Sequence, residues 1–153
     1  MATKNQETVI RYYVDLLAHG EREDADEVLA PGYVDHGPYG SERDTFLRRL
    51  EDFHAGFRNR VIIVEDVEVA GDEVVVRWIA GLKHTGEFLG FEPTGQQIDI
   101  SGTDVFRIED GRIAERWNHE SGLGLIDQLQ LRAAVSGLEP VYADREPAVA
   151  MVH

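Results

Sequence analysis

The chain has 153 residues, no cysteine, and a formal net charge of −14 from 29 acidic against 15 basic side chains. That length suits one domain with a sizeable core, and the lack of cysteine excludes disulfides, thiolate metal ligands and a cysteine nucleophile. The acidic balance argues against nucleic acid or an anionic membrane as partner.

Residues 5–19 set Val9, Tyr12, Tyr13, Leu16 and Leu17 at helical spacing, and His19-Gly20 ends the run. Residues 1–7 lack the apolar stretch of a signal peptide and no apolar run reaches spanning length, so a cytoplasmic protein is expected. Residues 21–30, with Ala25, Val28 and Leu29, read as a second, shorter helix stopped by Pro31-Gly32. Tyr33-Val34-Asp35-His36 is a short strand, broken at once by Gly37-Pro38-Tyr39-Gly40. Ser41 looks like an N-cap, with Asp44 three residues on. The helix it opens carries Phe46, Leu47, Leu50, Phe53 and His54 and ends near Gly56.

Residues 60–69 and 73–84 are two strands joined by Ala70-Gly71-Asp72. On the second, Val74, Val76, Trp78, Ala80, Leu82 and His84 share a face, so His84 should point to the core or a cavity mouth. The loop 85–95 holds Phe88, Leu89 and Phe91, which are unusual for a surface loop and predict a cover over a hydrophobic opening.

Residues 96–108 alternate as a half-buried strand, with Ile98, Ile100, Phe106 and Ile108 on one face and Asp104 among them. A carboxylate on an apolar face is either a proton-transfer group or half of an internal ion pair, because burial disfavours its charge. The return strand is 112–119, and the turn between them decides what faces Asp104. A two-residue turn at Asp110-Gly111 sets Asp104 opposite Trp117; a three-residue loop over 109–111 sets it opposite Arg116, with Gly102 opposite Asn118.

Leu123, Ile126, Leu129 and Leu131 predict a C-terminal helix, and a loosely ordered or partner-wrapping tail is expected over 136–153, leaving a single domain in 1–135. Helices gathered early and strands late give an α+β class, a curved antiparallel sheet closed by N-terminal helices into a cone around an apolar pocket.

The segment His84-Thr85-Gly86-Glu87-Phe88-Leu89-Gly90-Phe91-Glu92-Pro93-Thr94-Gly95 resembles the SnoaL-like polyketide cyclase family. So do residues 106–113 (Phe-Arg-Ile-Glu-Asp-Gly-Arg-Ile), Glu115-Arg116-Trp117 and the opening Tyr12-Tyr13 with 29–36. The resemblance covers about residues 5–132 and implies the cone-shaped fold of nuclear transport factor 2 and ketosteroid isomerase. It also implies cofactor-free acid/base chemistry on a hydrophobic carbonyl compound, by aldol cyclisation or isomerisation. The family's acid/base aspartate matches Asn118 here, which cannot transfer a proton, and a histidine of that site is replaced by Asp104. Both positions line the family's pocket, which favours the three-residue loop. A looser likeness to ketosteroid isomerase rests on Tyr13, Asp35 or His36, and Asp104. These match an oxyanion tyrosine, a general base and a neutral acid that donates a hydrogen bond.

The expected acid/base groups are therefore Asp104, with Asp35 or His36 as the second. Tyr13, Arg116 and Asn118 would orient substrate or hold an oxyanion, while His84, Phe88 and Trp78 would line the pocket. The six histidines show no HxxxH or HExxH spacing, so no metal and no cofactor are expected. Val105, Ile113 and Trp117 should face away from the pocket, and an apolar outer face implies a homodimer. Hydroxylation or hydrolysis on the same fold, a non-catalytic carrier of hydrophobic ligands, and a stress or accessory protein remain the other readings.

Overall fold

A computed structural model describes the chain over residues 3–142, with side chains over 3–135. Helix α1 (Lys4–Arg11) starts at a Thr3 capping box closed by Gln6 and runs on as a π-helical segment, Tyr12–Ala18. The wider turn buries Tyr12, Tyr13 and Leu16 together. Arg60 binds this segment from the sheet, its Nε donating to the carbonyls of Leu17 (3.1 Å) and Ala18 (3.0 Å).

The predicted second helix is far shorter. A 3₁₀ turn at Arg22–Asp24 leads into α2 (Ala25–Val28), and strand β1 (Leu29–His36) begins before Pro31 rather than after it. Proline lacks an N–H to donate, yet β1 is an edge strand and its register slips between Leu29 and Val34, so nothing is lost there. Helix α3 (Arg43–Gly56) follows; its N-cap is Glu42, not Ser41, whose carbonyl instead accepts from Asp35 N–H.

Strands β2 (Phe57–Ala70), β3 (Glu73–His84), β4 (Gln97–Glu109) and β5 (Arg112–Glu120) complete a curved, unclosed five-stranded sheet of order β1-β5-β4-β3-β2. Every pairing is antiparallel except β1 with β5, which is parallel because helix α3 and three strands separate them in sequence. The α+β class and the cone stand, with helices covering the concave face. Helix α4 (Leu125–Tyr142) extends past residue 136, where a tail was expected, and residues 143–153 lie outside the described part of the chain.

Both registers foreseen for the β4–β5 hairpin need correction. The turn is the two-residue type: Asp110 (φ 53°) and Gly111 (φ 78°) are both left-handed, and Glu109 pairs with Arg112. The next pairs are Ile108 with Ile113 and then Arg107 with Glu115, so Ala114 is an extra residue, a β-bulge. Asp104 consequently faces Asn118, neither Trp117 nor Arg116, and Gly102 faces Glu120. The bulge also turns Ile113 inward, fully buried, against the expectation that it faces out.

The main core lies between the helices and the concave face, with Tyr12, Leu16, Phe46, Val76 and Phe106 at its centre. A second cluster (Phe57, Leu82, Phe88, Ile98, Leu125, Leu129) fixes the 85–95 loop and α4 to one end of the sheet. No described helix is long and apolar enough to cross a membrane.

Candidate functional site

Between the π-helical segment, α3 and the concave face lies a cavity of about 90 Å³, walled mainly by apolar side chains, among them Leu17, Phe46, Leu50, Phe53, Ile62, Ala80 and Phe88. Its ionisable groups come from β4, β5, α3 and two tyrosine-bearing segments: Asp104, Arg116, Glu120, Arg49, Tyr12, Tyr13 and Tyr39, with the Asn118 amide beside them. After the Ala114 bulge, the alternation of β5 sends Arg116, Asn118 and Glu120 to the cavity side in succession.

Asp104 is fully buried, accepts two hydrogen bonds and is paired with one cation. Tyr13 Oη donates to Oδ2 at 2.5 Å, Asn118 Nδ2 to Oδ1 at 2.8 Å, and Arg116 Nη2 lies 3.2 Å from Oδ1. Arg116 also donates through Nη1 to Asp35 Oδ2 at 2.9 Å, where Tyr33 Oη donates at 2.5 Å. Two carboxylates thus share one guanidinium, which sits over the Tyr12 ring with Cζ 5.4 Å from the centroid.

The electrostatics follow from burial and these neighbours. Burial works against the Arg116 charge, but Asp104 foremost, and Asp35 with it, hold the guanidinium firmly protonated. Burial, then the adjacent Asp104 charge, pushes the Tyr13 hydroxyl well above its usual range, so Tyr13 is a neutral donor. Tyr39 is raised in the same way, by burial and then by Glu120.

The structure brings Asp104, Tyr13, Arg116, Asn118, Phe88 and Trp78 to this one cavity. Asp35 stands behind Arg116, fully buried and off the cavity wall. Two expected site residues are elsewhere. His36 is on the outer face, its Nε2 2.5 Å from Glu115 and its ring stacked on Trp117 at 5.2 Å, because β1 alternation sends it opposite to Asp35. His84 is buried but sits outside the cavity wall: it stacks on Phe57 at 5.0 Å, and its Nδ1 accepts from Thr94 N–H at 3.3 Å. Among the described residues, only Asp15, His19 and Glu21 cluster in a way that could share an ion, and they lie at the end of the π-helical segment, with Asp15 already paired to Arg11 at 3.0 Å.

The sequence profile of the SnoaL-like polyketide cyclases matches residues 7–129. The chain belongs to that family. A search of curated proteins finds no match. Among solved structures, a putative SnoaL-like polyketide cyclase from Jannaschia sp. CCS1 is 28% identical, with a TM-score of 0.70 over 87% of this chain and 92% of that one. IdmH, a putative polyketide cyclase from Streptomyces antibioticus, is 27% identical, with a TM-score of 0.69 over 84% and 99%. A putative polyketide cyclase from Acidithiobacillus ferrooxidans is 25% identical, with a TM-score of 0.72 over 86% and 97%.

In this SnoaL-like chain, sequence reasoning missed Glu120 and Tyr39. Tyr39 Oη donates to Glu120 Oε2 at 2.8 Å, while Glu120 Oε1 accepts from Leu125 N–H at 2.7 Å and so fixes the start of α4. The signal was present: Glu120 continues the Arg116, Asn118 alternation by one step, and Tyr39 is the one large side chain in a Gly-Pro-Tyr-Gly break. Tyr33 was read as part of a strand without a role, and only the fold shows it holding Asp35.

Proposed function

We propose that this SnoaL-like protein is a cofactor-independent enzyme whose Asp104 moves a proton on a hydrophobic, carbonyl-bearing substrate, in aldol ring closure or isomerisation. The observation that carries this reading is the charge balance of the buried cluster. Asp35 and Asp104 against Arg116 leave one negative charge in excess. When Asp104 takes a proton, Asp35 and Arg116 remain as a compensated pair, so no lone charge is stranded in a dry site. Asp104, which lies on the cavity wall, is thus the member free to cycle, and Asp35, off the wall, is the fixed counter-ion.

Oδ2 accepts only from Tyr13, and an ionised carboxylate oxygen has a second lone pair to receive a proton. Asp104 removes hydrogen from carbon next to a carbonyl, and the C–H pair becomes the enolate. In ring closure the enolate carbon bonds to a second carbonyl carbon, whose π pair moves to its oxygen and takes the proton from Asp104. In isomerisation the same proton returns to a different carbon. Tyr13 and Asn118 keep the carboxyl oriented, as general acid–base catalysis requires. The apolar walls exclude water, which strengthens every polar contact inside. The family and its solved neighbours support this class of chemistry.

The test uses a phenyl-bearing diketone whose carbonyls can close a six-membered ring. Asp104→Asn is expected to lower kcat about a thousandfold, while naphthalene binding, read by calorimetry, stays within about twofold. Equal turnover by both proteins would reject the assignment.

A further inference from the structure

The cavity contains a second polar feature, one row along the sheet from Asp104. Trp78 pairs with Gly102, and Gly102 pairs with Glu120, so the three lie in one line across β3, β4 and β5. Gly102 supplies no side chain, and the Trp78 ring occupies the space: a Cβ built on Gly102 would stand 2.7 Å from Trp78 Cζ2. Trp78 is only 7% exposed, lines the cavity, and has an indole N–H buried without a hydrogen-bond partner. A buried donor left unsatisfied costs about 1–3 kcal/mol, a cost that a ligand acceptor removes. Glu120 is the opposite case. It lines the same cavity, no described basic group pairs with it, and each carboxylate oxygen keeps a free lone pair beside its single donor, Tyr39 or Leu125 N–H.

We infer that Trp78 and Glu120 form a donor–acceptor subsite that selects ligands bearing both a carbonyl and a hydroxyl. The carbonyl oxygen accepts from the Trp78 indole N–H, and the hydroxyl donates to the Glu120 carboxylate. Tyr39 and the start of α4 are positioning groups that hold Glu120 at the wall. Along β5, Glu120 is two residues from Asn118, about 6.7 Å at ordinary strand rise. The subsite therefore grips a part of the molecule one ring's width from the Asp104 carboxylate. It rests on the proposed function only in taking this cavity as the substrate site, and it is read by binding rather than turnover.

The experiment is calorimetric titration of the full chain with naphthalene, β-tetralone, which offers an acceptor, and β-naphthol, which offers a hydroxyl donor. Both polar probes should bind about tenfold more tightly than naphthalene. Trp78→Phe should weaken β-tetralone about tenfold and leave β-naphthol unchanged, and Glu120→Gln should do the reverse. Naphthalene affinity should be unmoved in both variants, which controls for collapse of the cavity. Equal affinity for all three probes, or variants that shift every probe alike, overturns the subsite. Asp104-dependent ring closure with no such discrimination would overturn this inference alone. Discrimination without Asp104-dependent turnover would overturn the proposed chemistry and leave the subsite standing.

Discussion

At the scale of single residues, chemistry-bearing side chains were legible where they broke a pattern. Asp104 stood out because a carboxylate interrupts an apolar face; Tyr13 and Asn118, expected in the same site, are bonded to it, Asn118 as the direct partner that neither foreseen register gave. Glu120 broke no pattern: it continues the alternation of Arg116 and Asn118 by one step, a signal easily overlooked because a carboxylate at a strand end is usually a solvated one, and its register with Gly102 places it beside the cavity. Gly102 itself tests the close packing behind that row. A methyl group there would meet both Trp78 Cζ2 and the His119 carbonyl oxygen at 2.7 Å, and backbone cannot yield as a flexible side chain does. Gly102→Ala is expected to cost about 1–3 kcal/mol in chemical denaturation, with Trp78 fluorescence shifted by the displaced ring. An unchanged midpoint and spectrum would mean that the row is looser than its geometry.

At the scale of elements, strands and long helices were legible from periodicity, and their joints were not. The hairpin shows why: two candidate turns gave opposite faces to β5, and the answer needed a bulge that no local signal announces. Ile113-Ala114 is an ordinary apolar pair in sequence, yet in the structure both side chains are buried, and the extra residue restores the inward parity of Arg116 and Asn118. The loop over 85–95 was legible as a cover, and Phe88 does pack there on Phe57 at 5.1 Å. His84 ties the two ends of that cover together, its backbone N–H donating to the Gln96 carbonyl and its carbonyl accepting from Gly95 N–H, and is no wall of the cavity. Burial lowers its proton affinity, and its Nδ1 already accepts from Thr94, which requires the neutral ring. Because the folded value lies below the unfolded one, the unfolded chain binds the proton first as pH falls. The stabilisation is therefore whole above the unfolded value of about 6.5 and is lost as pH drops towards the folded value. His54, held by the Leu16 carbonyl at 2.7 Å and also lowered by burial, acts with the same sign. Urea unfolding at a series of pH values should show stability falling below about pH 6.5, and His84→Phe should flatten part of that slope. A slope unaltered by the substitution would remove His84 from the account.

At the scale of the whole molecule, the convex face of the sheet has no covering layer among the described residues. Register places Val75, Val105, Trp117 and His36 in one row across four strands, and Ile63 and Ile79 in a second. Ile63 is 50% exposed, Val61 58% and Trp117 37%. We propose that a second copy of the chain covers this face, since a surface carrying both signs of charge beside its apolar rows can match its own image across a two-fold axis. Arg77 with Asp66 and Arg107 with Glu115 supply those signs. An unlike partner would have to complement both signs separately. Sedimentation equilibrium should give twice the mass of one chain, and Ile63→Asp should give the monomer, because a carboxylate placed in an apolar row would have to be desolvated in the interface. Salt supplies the second arm. With −14 on each chain, the copies repel at long range, so association through an apolar face should strengthen as ionic strength rises and the repulsion is screened. Association that weakens with salt would mean that ion pairs hold the copies together, and a parent protein that sediments as one chain would leave the face to another partner.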